Sequence, residues 1–203
     1  MSDLGELAGR VLEVYERNAA RYDRERSRVL FERGWLDRFA GMIPGGGRVL
    51  DVGCGTGAPM ADYLAGLGFA VTGVDGAAAM IEIARARRPE GDWRVADMRA
   101  LSLEERFDGV LAWDSFFHLT RDEQRQVVPR LLRHLRPGGP LMLTVGPGDG
   151  EAEGCVGDEP IYHASLEGEE YASLLHEGGA EVVAYVLNDE TCGGHGILLA
   201  RKL

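Results

Sequence analysis

The chain is predicted to be an α/β protein built on a mostly parallel β-sheet. Between residues 48 and 146, short and nearly continuous apolar runs alternate with segments that have helical periodicity. Continuous apolar runs are typical of strands buried on both faces, which is the usual state of a parallel sheet. The 203 residues are 45% hydrophobic and 27% charged, and this composition suits one globular domain.

The predicted elements follow one another in a regular order. Apolar residues at helical spacing predict two helices within residues 4–41, which end before the breaker that starts at Pro44. Strands are then predicted at 48–53, 69–75, 92–98, 107–114 and 140–146, with helices at 57–67, 76–88 and 121–136. We therefore divide the chain into an N-terminal helical cap, residues 1–44, and a domain of residues 45–203, within a single structural domain overall.

The last third of the chain begins with a segment of unusual composition. Residues 146–160 are rich in Gly, acidic residues and Pro, and we expect a long mobile loop there. A helix at 166–178 follows. Strands are predicted at 181–188 and 195–202, and the short connection between them favours an antiparallel pair.

Charge and cysteine content exclude several classes of partner. The net charge is −11, and no Lys or Arg lies between Arg136 and Arg201, which argues against nucleic-acid binding. No apolar stretch is long enough to span a membrane, and the N-terminus does not resemble a secretory signal. Three widely separated cysteines are typical of a reducing compartment, so we expect a cytoplasmic protein that does not bind membranes.

The most informative segment is VLDVGCGTG, residues 49–57. It places three glycines directly after a predicted strand and before a helix, where a ligand can approach the backbone and the helix N-terminus. Asp75 ends the second strand, where a carboxylate can accept hydrogen bonds from both hydroxyls of a ribose. Gly53, Gly55 and Ala58 also satisfy the relaxed dinucleotide fingerprint, so a nicotinamide cofactor stays possible at this point.

Three features favour a different ligand. Asp51 lies two residues before the first glycine, where its charge suits an ammonium group better than a pyrophosphate. Asp97 follows the third strand and can accept from an adenine amine, with Met98 beside it as an apolar contact for the ring. We also expect too little chain after the predicted sheet for a separate dehydrogenase substrate domain.

Taken together, the motifs resemble those of the class I S-adenosylmethionine-dependent methyltransferases. VLDVGCGTG, GVDGAAAMI, VADMRAL, FDGVLAWDSFFHL and LRPGGPLMLTV occur in the order and spacing of that family, over roughly residues 48–202. The resemblance implies a Rossmann-like seven-stranded sheet of order 3-2-1-4-5-7-6, with strand seven antiparallel and helices on both faces. It also implies that S-adenosylmethionine binds at the carboxyl ends of the strands and leaves as S-adenosylhomocysteine.

The resemblance further implies a set of cofactor contacts. Asp51 is expected to orient the amino group, Asp75 to bind the ribose, and Trp113 to lie at the methionine end. The full set of expected contacts is Asp51, Gly53, Cys54, Gly55, Gly57, Asp75, Gly76, Ala77, Asp97, Met98 and Trp113. Two of these have alternatives, since Cys54 is also a small residue that fits the turn and Met98 is also a core residue.

Methyl transfer needs a general base only when the nucleophile carries a proton with a high pKa, so the fold itself prescribes no catalytic residue. Candidate catalytic residues come from the strand ends and the cap. His118 follows the fourth predicted strand and is either a base or a structural histidine. Tyr162 and His163 follow the expected loop and either close over a substrate or anchor the loop. Tyr15 and Tyr22 share a helix face that either caps the cofactor or packs in the core.

The sequence therefore predicts an enzyme that moves a methyl group from S-adenosylmethionine to a small-molecule acceptor, working as a monomer or homodimer. The alternatives are a nicotinamide-dependent oxidoreductase and a non-catalytic S-adenosylmethionine-binding regulator. No metal site is predicted, because Cys192 and His195 have no second pair of ligands with matching spacing. The acidic segment 149–159 suggests that the entrance favours neutral or cationic acceptors over anionic ones.

Overall fold

A seven-stranded sheet forms the centre of the protein. The computed structural model describes residues 3–203, so the first two residues of the predicted cap lie outside the described range. The strands are β1 (Arg48–Val52), β2 (Ala70–Asp75), β3 (Asp92–Val95), β4 (Gly109–Ala112), β5 (Pro140–Val145), β6 (Gly150–Val156), β7 (Glu159–Ser165), β8 (Ala180–Asp189) and β9 (His195–Lys202). Seven of these strands form the central sheet in the order β3-β2-β1-β4-β5-β9-β8, and β9 runs antiparallel to the other six. The predicted fold class and strand order are confirmed.

Helices cover both faces of this sheet. They are α1 (Leu4–Glu25), α2 (Arg33–Ala40), α3 (Met60–Gly66), α4 (Ala78–Arg87), α5 (Arg121–His134) and α6 (Gly168–Glu177). Successive strand residues point to opposite faces, so Val49 and Leu111 pack with α2 and α3, whereas Leu50 and Val110 pack with α5 and α6. None of these four side chains is exposed to solvent. No helix within residues 3–203 has the length and apolarity that a membrane crossing requires.

The segment predicted as a long loop is instead a β-hairpin, so that prediction is wrong. β6 and β7 pair antiparallel across a two-residue turn, Gly157 and Asp158, and form a separate two-stranded sheet. Gly157 has a φ of 60°, the left-handed conformation that tight hairpin turns require. Two strands alone are marginal in water, and this pair is stabilised because one face packs against α1.

Helix α1 lies between the hairpin and α4. Its residues Leu7, Val11 and Val14 pack with Ile161 and Tyr162 of β7. Polar contacts add to this packing: the Arg17 guanidinium lies 2.6 Å from the Glu159 carboxylate, and the Arg21 guanidinium lies 2.9 Å from that of Asp158. The acidic hairpin turn is therefore charge-compensated by α1, and both elements border the same open end of the sheet.

Candidate functional site

A cleft of about 960 Å³, including its open mouth, lies at the carboxyl ends of β1, β2 and β4. The strand order reverses between β1 and β4, and ligands of open α/β sheets bind at such a reversal. Helix α1 forms the opposite wall, where Leu12, Tyr15 and Tyr22 line the cleft. The cleft thus has one wall of strand ends and one wall from the N-terminal helix.

The glycine-rich turn after β1 forms the floor of the cleft. Gly53 and Gly55 have φ angles of 71° and 53°, a conformation that glycine adopts without strain. A Cβ at Gly53 would lie only 2.3 Å from the Ser115 Cβ, so this position has no room for a side chain. The backbone N–H groups of Gly53 and Cys54 both donate to the Val74 carbonyl, which ties the turn to β2.

Asp51 places a buried carboxylate under this turn. Its side chain lines the cleft, is 2% exposed, and has one oxygen, Oδ2, without a hydrogen-bond partner. Burial, and after it the charge of Asp75, raises the pKa of Asp51 to about 7. An unpaired carboxylate oxygen in such a place is stabilised when a cationic group binds beside it, so the donor set fits the ammonium group of an amino acid.

Asp75 connects the turn to the start of α4. Its Oδ2 accepts a hydrogen bond from the Gly55 N–H at 2.9 Å, and its Oδ1 accepts one from the Ala77 N–H at 2.8 Å. Burial raises the pKa of Asp75, and these two N–H groups act in the opposite direction. A carboxylate has about four acceptor positions, so two of them stay free for hydroxyl groups of a ligand.

Asp97 lies on the same wall with an arginine bound to it. The Arg99 guanidinium approaches the Asp97 carboxylate to 2.7 Å, and the Arg99 N–H also donates to it at 2.9 Å. Partial burial raises the pKa of Asp97, but the Arg99 hydrogen bonds outweigh it and hold the pKa below its ordinary value. Met98 stands between them in sequence and lines the cleft.

Nine of the eleven predicted cofactor contacts line this cleft. They are Asp51, Gly53, Cys54, Gly55, Asp75, Gly76, Asp97, Met98 and Trp113. Gly57 and Ala77 do not line the cleft, and their contacts with a cofactor stay predictions. A Cβ at Gly57 would lie 2.6 Å from the Trp93 ring, so this glycine serves packing, and Ala77 is buried against Ala19 and Met80.

His118 borders the cleft with both ring nitrogens engaged. Its Nδ1 lies 3.0 Å from the Tyr162 carbonyl, which can only accept, so Nδ1 carries the proton and donates. Its Nε2 is therefore the acceptor of the Tyr15 hydroxyl, 2.7 Å away. Burial lowers the pKa of His118 to about 4, so the ring is neutral at pH 7. The Tyr15 oxygen keeps its lone pairs for a donor in the cleft.

The two other catalytic candidates lie apart from the cleft. The Tyr162 side chain is buried in the cluster with α1, which favours the alternative that it anchors this segment; only its carbonyl touches His118. His163, the next residue of β7, points to the other face of the hairpin. Its ring centroid lies 4.9 Å from that of His118 and 4.8 Å from that of Phe117.

A second cavity, here called the outer cavity, continues from the cleft. The two share Tyr15, Tyr22, Arg26, Asp114 and His118. Phe117, His163 and His195 line the outer cavity but not the cleft. The aromatic rings of this wall come from α1, from the turn after β4, from β7 and from β9, four elements that are distant in sequence.

Asp114 stands at the junction of the cleft and the outer cavity. Its φ of 48° is left-handed, which is uncommon for a residue with a side chain. The carboxylate Oδ1 lies 2.8 Å from His195 Nε2, and Oδ2 lies 3.5 Å from an Arg26 nitrogen. Arg26 is itself bound at 2.8 Å to Glu32, whose side chain is completely buried.

The protonation of His195 follows from its two contacts. Its Nδ1 lies 2.5 Å from the Cys192 carbonyl, an acceptor, so Nδ1 carries a proton. The Asp114 carboxylate, 2.8 Å from Nε2, raises the pKa of His195 and so favours its charged form. His195 thus contacts the backbone of Cys192, not its thiol, and lies beside the Asp114 carboxylate.

The sequence interpretation missed most of this junction. It gave no role to Arg26, Arg99 or His195. The signals for His195 were weak, because its pairing with Asp114 depends on β9 entering the sheet two strands away from β4. Spacing along the chain does not show such a contact.

Comparison with known proteins first gives the class. The fold as a whole is similar to those of solved methyltransferases. One of them is the amino pentose methyltransferase CalS10 from Micromonospora echinaspora, solved with SAM bound. It is 26% identical, with a TM-score of 0.71, and the match covers 92% of this chain and 96% of that one. The sequence profile of the methyltransferase domain family also matches, over residues 49–139. These matches support a class I S-adenosylmethionine-dependent methyltransferase.

Curated relatives give a finer comparison. The chain is 34% identical over 163 residues to 27-O-demethylrifamycin SV methyltransferase of Amycolatopsis mediterranei, which is 71% of this chain and 58% of that protein. It is 37% identical over 103 residues to dTDP-4-amino-2,3,4,6-tetradeoxy-D-glucose N,N-dimethyltransferase of Saccharopolyspora spinosa, which is 50% of this chain and 41% of that protein. The chain thus spans about half the length of the curated relatives it matches.

Proposed function

We propose that the protein is an enzyme that transfers a methyl group from S-adenosylmethionine to a small-molecule acceptor. The observation that supports this most directly is the buried Asp51 carboxylate, whose Oδ2 has no partner at the floor of the cleft. An ammonium group satisfies this oxygen, and the amino acid part of S-adenosylmethionine supplies one. The pyrophosphate of a nicotinamide dinucleotide would place like charge next to Asp51 and Asp75, which disfavours the oxidoreductase alternative.

In this proposal the cleft residues divide the cofactor between them. Asp51 binds the ammonium group, and the free acceptor positions of Asp75 bind the ribose hydroxyls. Asp97 accepts from the adenine amine, with Met98 against the ring. The remaining contacts come from Gly53, Cys54, Gly55, Gly76 and Trp113, whose indole Nε1 is buried without a partner. Gly57 and Ala77 support the site through packing and through the Ala77 bond to Asp75.

The bound sulfonium supplies an activated methyl group, so the chain's own task is to orient an acceptor and exclude water. The outer cavity adjoins the cleft and is open to an acceptor that enters past the hairpin. The Tyr15 hydroxyl donates a hydrogen bond to His118, and its oxygen can accept a hydrogen bond from an N–H or O–H group of the methyl acceptor. Neutral His118 can take a proton through Tyr15, so we propose His118 as the base and Tyr15 as the group that touches the acceptor. Tyr162 and His163 then shape the wall around His118.

Several finer properties belong to the same proposal. The relatives methylate a rifamycin precursor and an amino sugar nucleotide by their names, which supports a small-molecule acceptor here. The net charge of −11 favours neither nucleic acid nor an anionic membrane surface. All three cysteines are free, which is consistent with the cytoplasm. We propose a monomer or homodimer, with residues 1–44 as the cap of one domain.

Calorimetry with S-adenosylhomocysteine and, separately, with NAD tests the cofactor assignment. We expect the first to bind and the second not to. Binding of NAD without binding of S-adenosylhomocysteine would overturn the proposal. Transfer of label from S-adenosylmethionine to a panel of small alcohols, phenols and amines tests turnover. Tight cofactor binding with no transfer across a broad panel would favour a non-catalytic regulator.

A further inference from the structure

Resting on the proposed function, we infer that the acceptor is an amine and that Asp114 binds its ammonium group at the junction of the cleft and the outer cavity. This assigns an acceptor-binding residue and a chemical class of substrate. Three features of the junction support an amine: the unused acceptor capacity of the Asp114 carboxylate, the aromatic wall around it, and the direction in which charge moves during transfer.

The Asp114 carboxylate is held in place but is not saturated. His195 Nε2 lies 2.8 Å from Oδ1 as an ion-pair contact, yet Oδ1 is buried without a hydrogen-bond partner, and Oδ2 lies 3.5 Å from Arg26, which is beyond a normal hydrogen bond. Arg26 is drawn away because it bonds Glu32 at 2.8 Å. Oδ2 therefore keeps its acceptor capacity for a donor that enters the junction. A left-handed backbone at φ 48° costs free energy, and such strain is typical of residues that a site keeps for binding.

The wall around Asp114 is rich in aromatic rings, and the arginines that also line it, Arg21 and Arg26, are already paired with Glu25, Asp158 and Glu32. The rings of Tyr15, Tyr22, Phe117 and His163 line the outer cavity, and the faces of such rings attract positive charge. The other carboxylate of this wall, on Glu25, is already bound by Arg21 at 2.9 Å. Glu25 pairs through one oxygen only, but its side chain is 58% exposed, whereas that of Asp114 is 22% exposed, so a ligand competes with less water at Asp114.

The charge movement in methyl transfer matches this placement. A deprotonated amine nitrogen uses its lone pair to form the new N–C bond, and the electron pair of the broken C–S bond stays on sulfur. One positive charge passes from sulfur to nitrogen, and the total charge is unchanged. A carboxylate beside the nitrogen therefore stabilises the transition state more than the starting state. The proton that the ammonium group gives up beforehand passes to water in the outer cavity, which is open to solvent.

The test uses probes that do not require the acceptor to be known. S-adenosylhomocysteine analogues in which nitrogen replaces sulfur can bear a 2-aminoethyl, a 2-hydroxyethyl or a propyl arm in place of the methyl group. Calorimetry compares the three analogues on the wild type and on Asp114→Asn, an isosteric change that tolerates the left-handed backbone. Asp158→Asn, which removes one negative charge from the exposed hairpin turn, is the matched control.

We expect the wild type to bind the aminoethyl analogue about tenfold or more tightly than the propyl analogue. This preference should fall below about threefold in Asp114→Asn and stay at the wild-type level in Asp158→Asn. S-adenosylhomocysteine itself should bind all three proteins equally, which also reports on folding. An undiminished preference in Asp114→Asn, equal binding of the hydroxyethyl and aminoethyl analogues, or rejection of the aminoethyl arm would each overturn the inference. Failure of the wild type to bind S-adenosylhomocysteine would instead overturn the proposed function.

Discussion

The pH dependence of cofactor binding should report the buried carboxylate of Asp51. With a pKa of about 7, this group is about one-tenth deprotonated at pH 6 and about nine-tenths at pH 8. If only the deprotonated form binds the ammonium group, affinity for S-adenosylhomocysteine rises about tenfold between these pH values, or about 1.4 kcal/mol. At pH 7 binding should release about half a proton, because the site becomes fully deprotonated.

Calorimetry at pH 6, 7 and 8, in buffers of different ionisation enthalpy, measures both quantities. Asp51→Asn keeps the shape of the side chain and should bind more weakly, with the tenfold rise and the proton release removed. The unliganded wild type should also lose stability as pH rises from about 4 to 7, because the folded state binds the proton more tightly than the unfolded state. Equal affinity at pH 6 and 8, together with no proton release, would refute the assignment of Asp51.

Three further predictions concern the cofactor turn and the outer wall. Asp75→Ala should weaken S-adenosylhomocysteine binding by about 1–3 kcal/mol in calorimetry, and unchanged affinity would mean that the ribose is held elsewhere. Gly57→Ala should lower the free energy of unfolding in urea by about 1–3 kcal/mol more than Gly68→Ala. Both positions have positive φ, but only the first meets a ring, that of Trp93. Because burial lowers the pKa of His118 to about 4, its ring should stay neutral down to about pH 5 when titrated by NMR. The free energy of unfolding should fall as the pH drops from about 6.5 through 4, since the unfolded state binds the proton more tightly. Titration of His118 near pH 6.5 would contradict its buried pairing.

The central sheet was predictable because each of its inner strands is encoded locally. A strand such as β1 is apolar on both faces, and the glycines that follow it at 53 and 55 are dictated by the left-handed turn. The acids at the strand ends were predictable for the same reason, since parallel strands bring their carboxyl ends to one edge. Asp51, Asp75 and Asp97 accordingly all line the cleft.

The hairpin was not recognised because its composition is that of a loop. β6 is largely exposed, so it lacks the apolar alternation of a half-buried strand. A two-residue Gly-Asp turn at 157–158 between β-forming segments was the available signal. Without the strand, the directions of Tyr162 and His163 could not be assigned, although adjacent strand residues always point to opposite faces.

The polar network at the junction could not have been predicted from spacing. Tyr15 and His118 are 103 residues apart, and Asp114 meets His195 only because β4 and β9 flank the same strand, β5. Along the sequence these residues lie on a helix face, in the turn after β4 or at the start of β9, where none of them stands out. They form one site only because the folded chain brings them together.

The position of α1 has a consequence for the order in which the protein folds. Its buried face is completed by β7, and the contact between Arg17 and Glu159 closes a loop of about 140 residues. The sheet from β1 to β5 contains mostly nearer contacts, so it can assemble before this loop closes. Refolding followed by a probe of secondary structure should therefore finish earlier than refolding followed by cofactor binding. During synthesis, α1 is made more than 120 residues before the hairpin that completes its buried face.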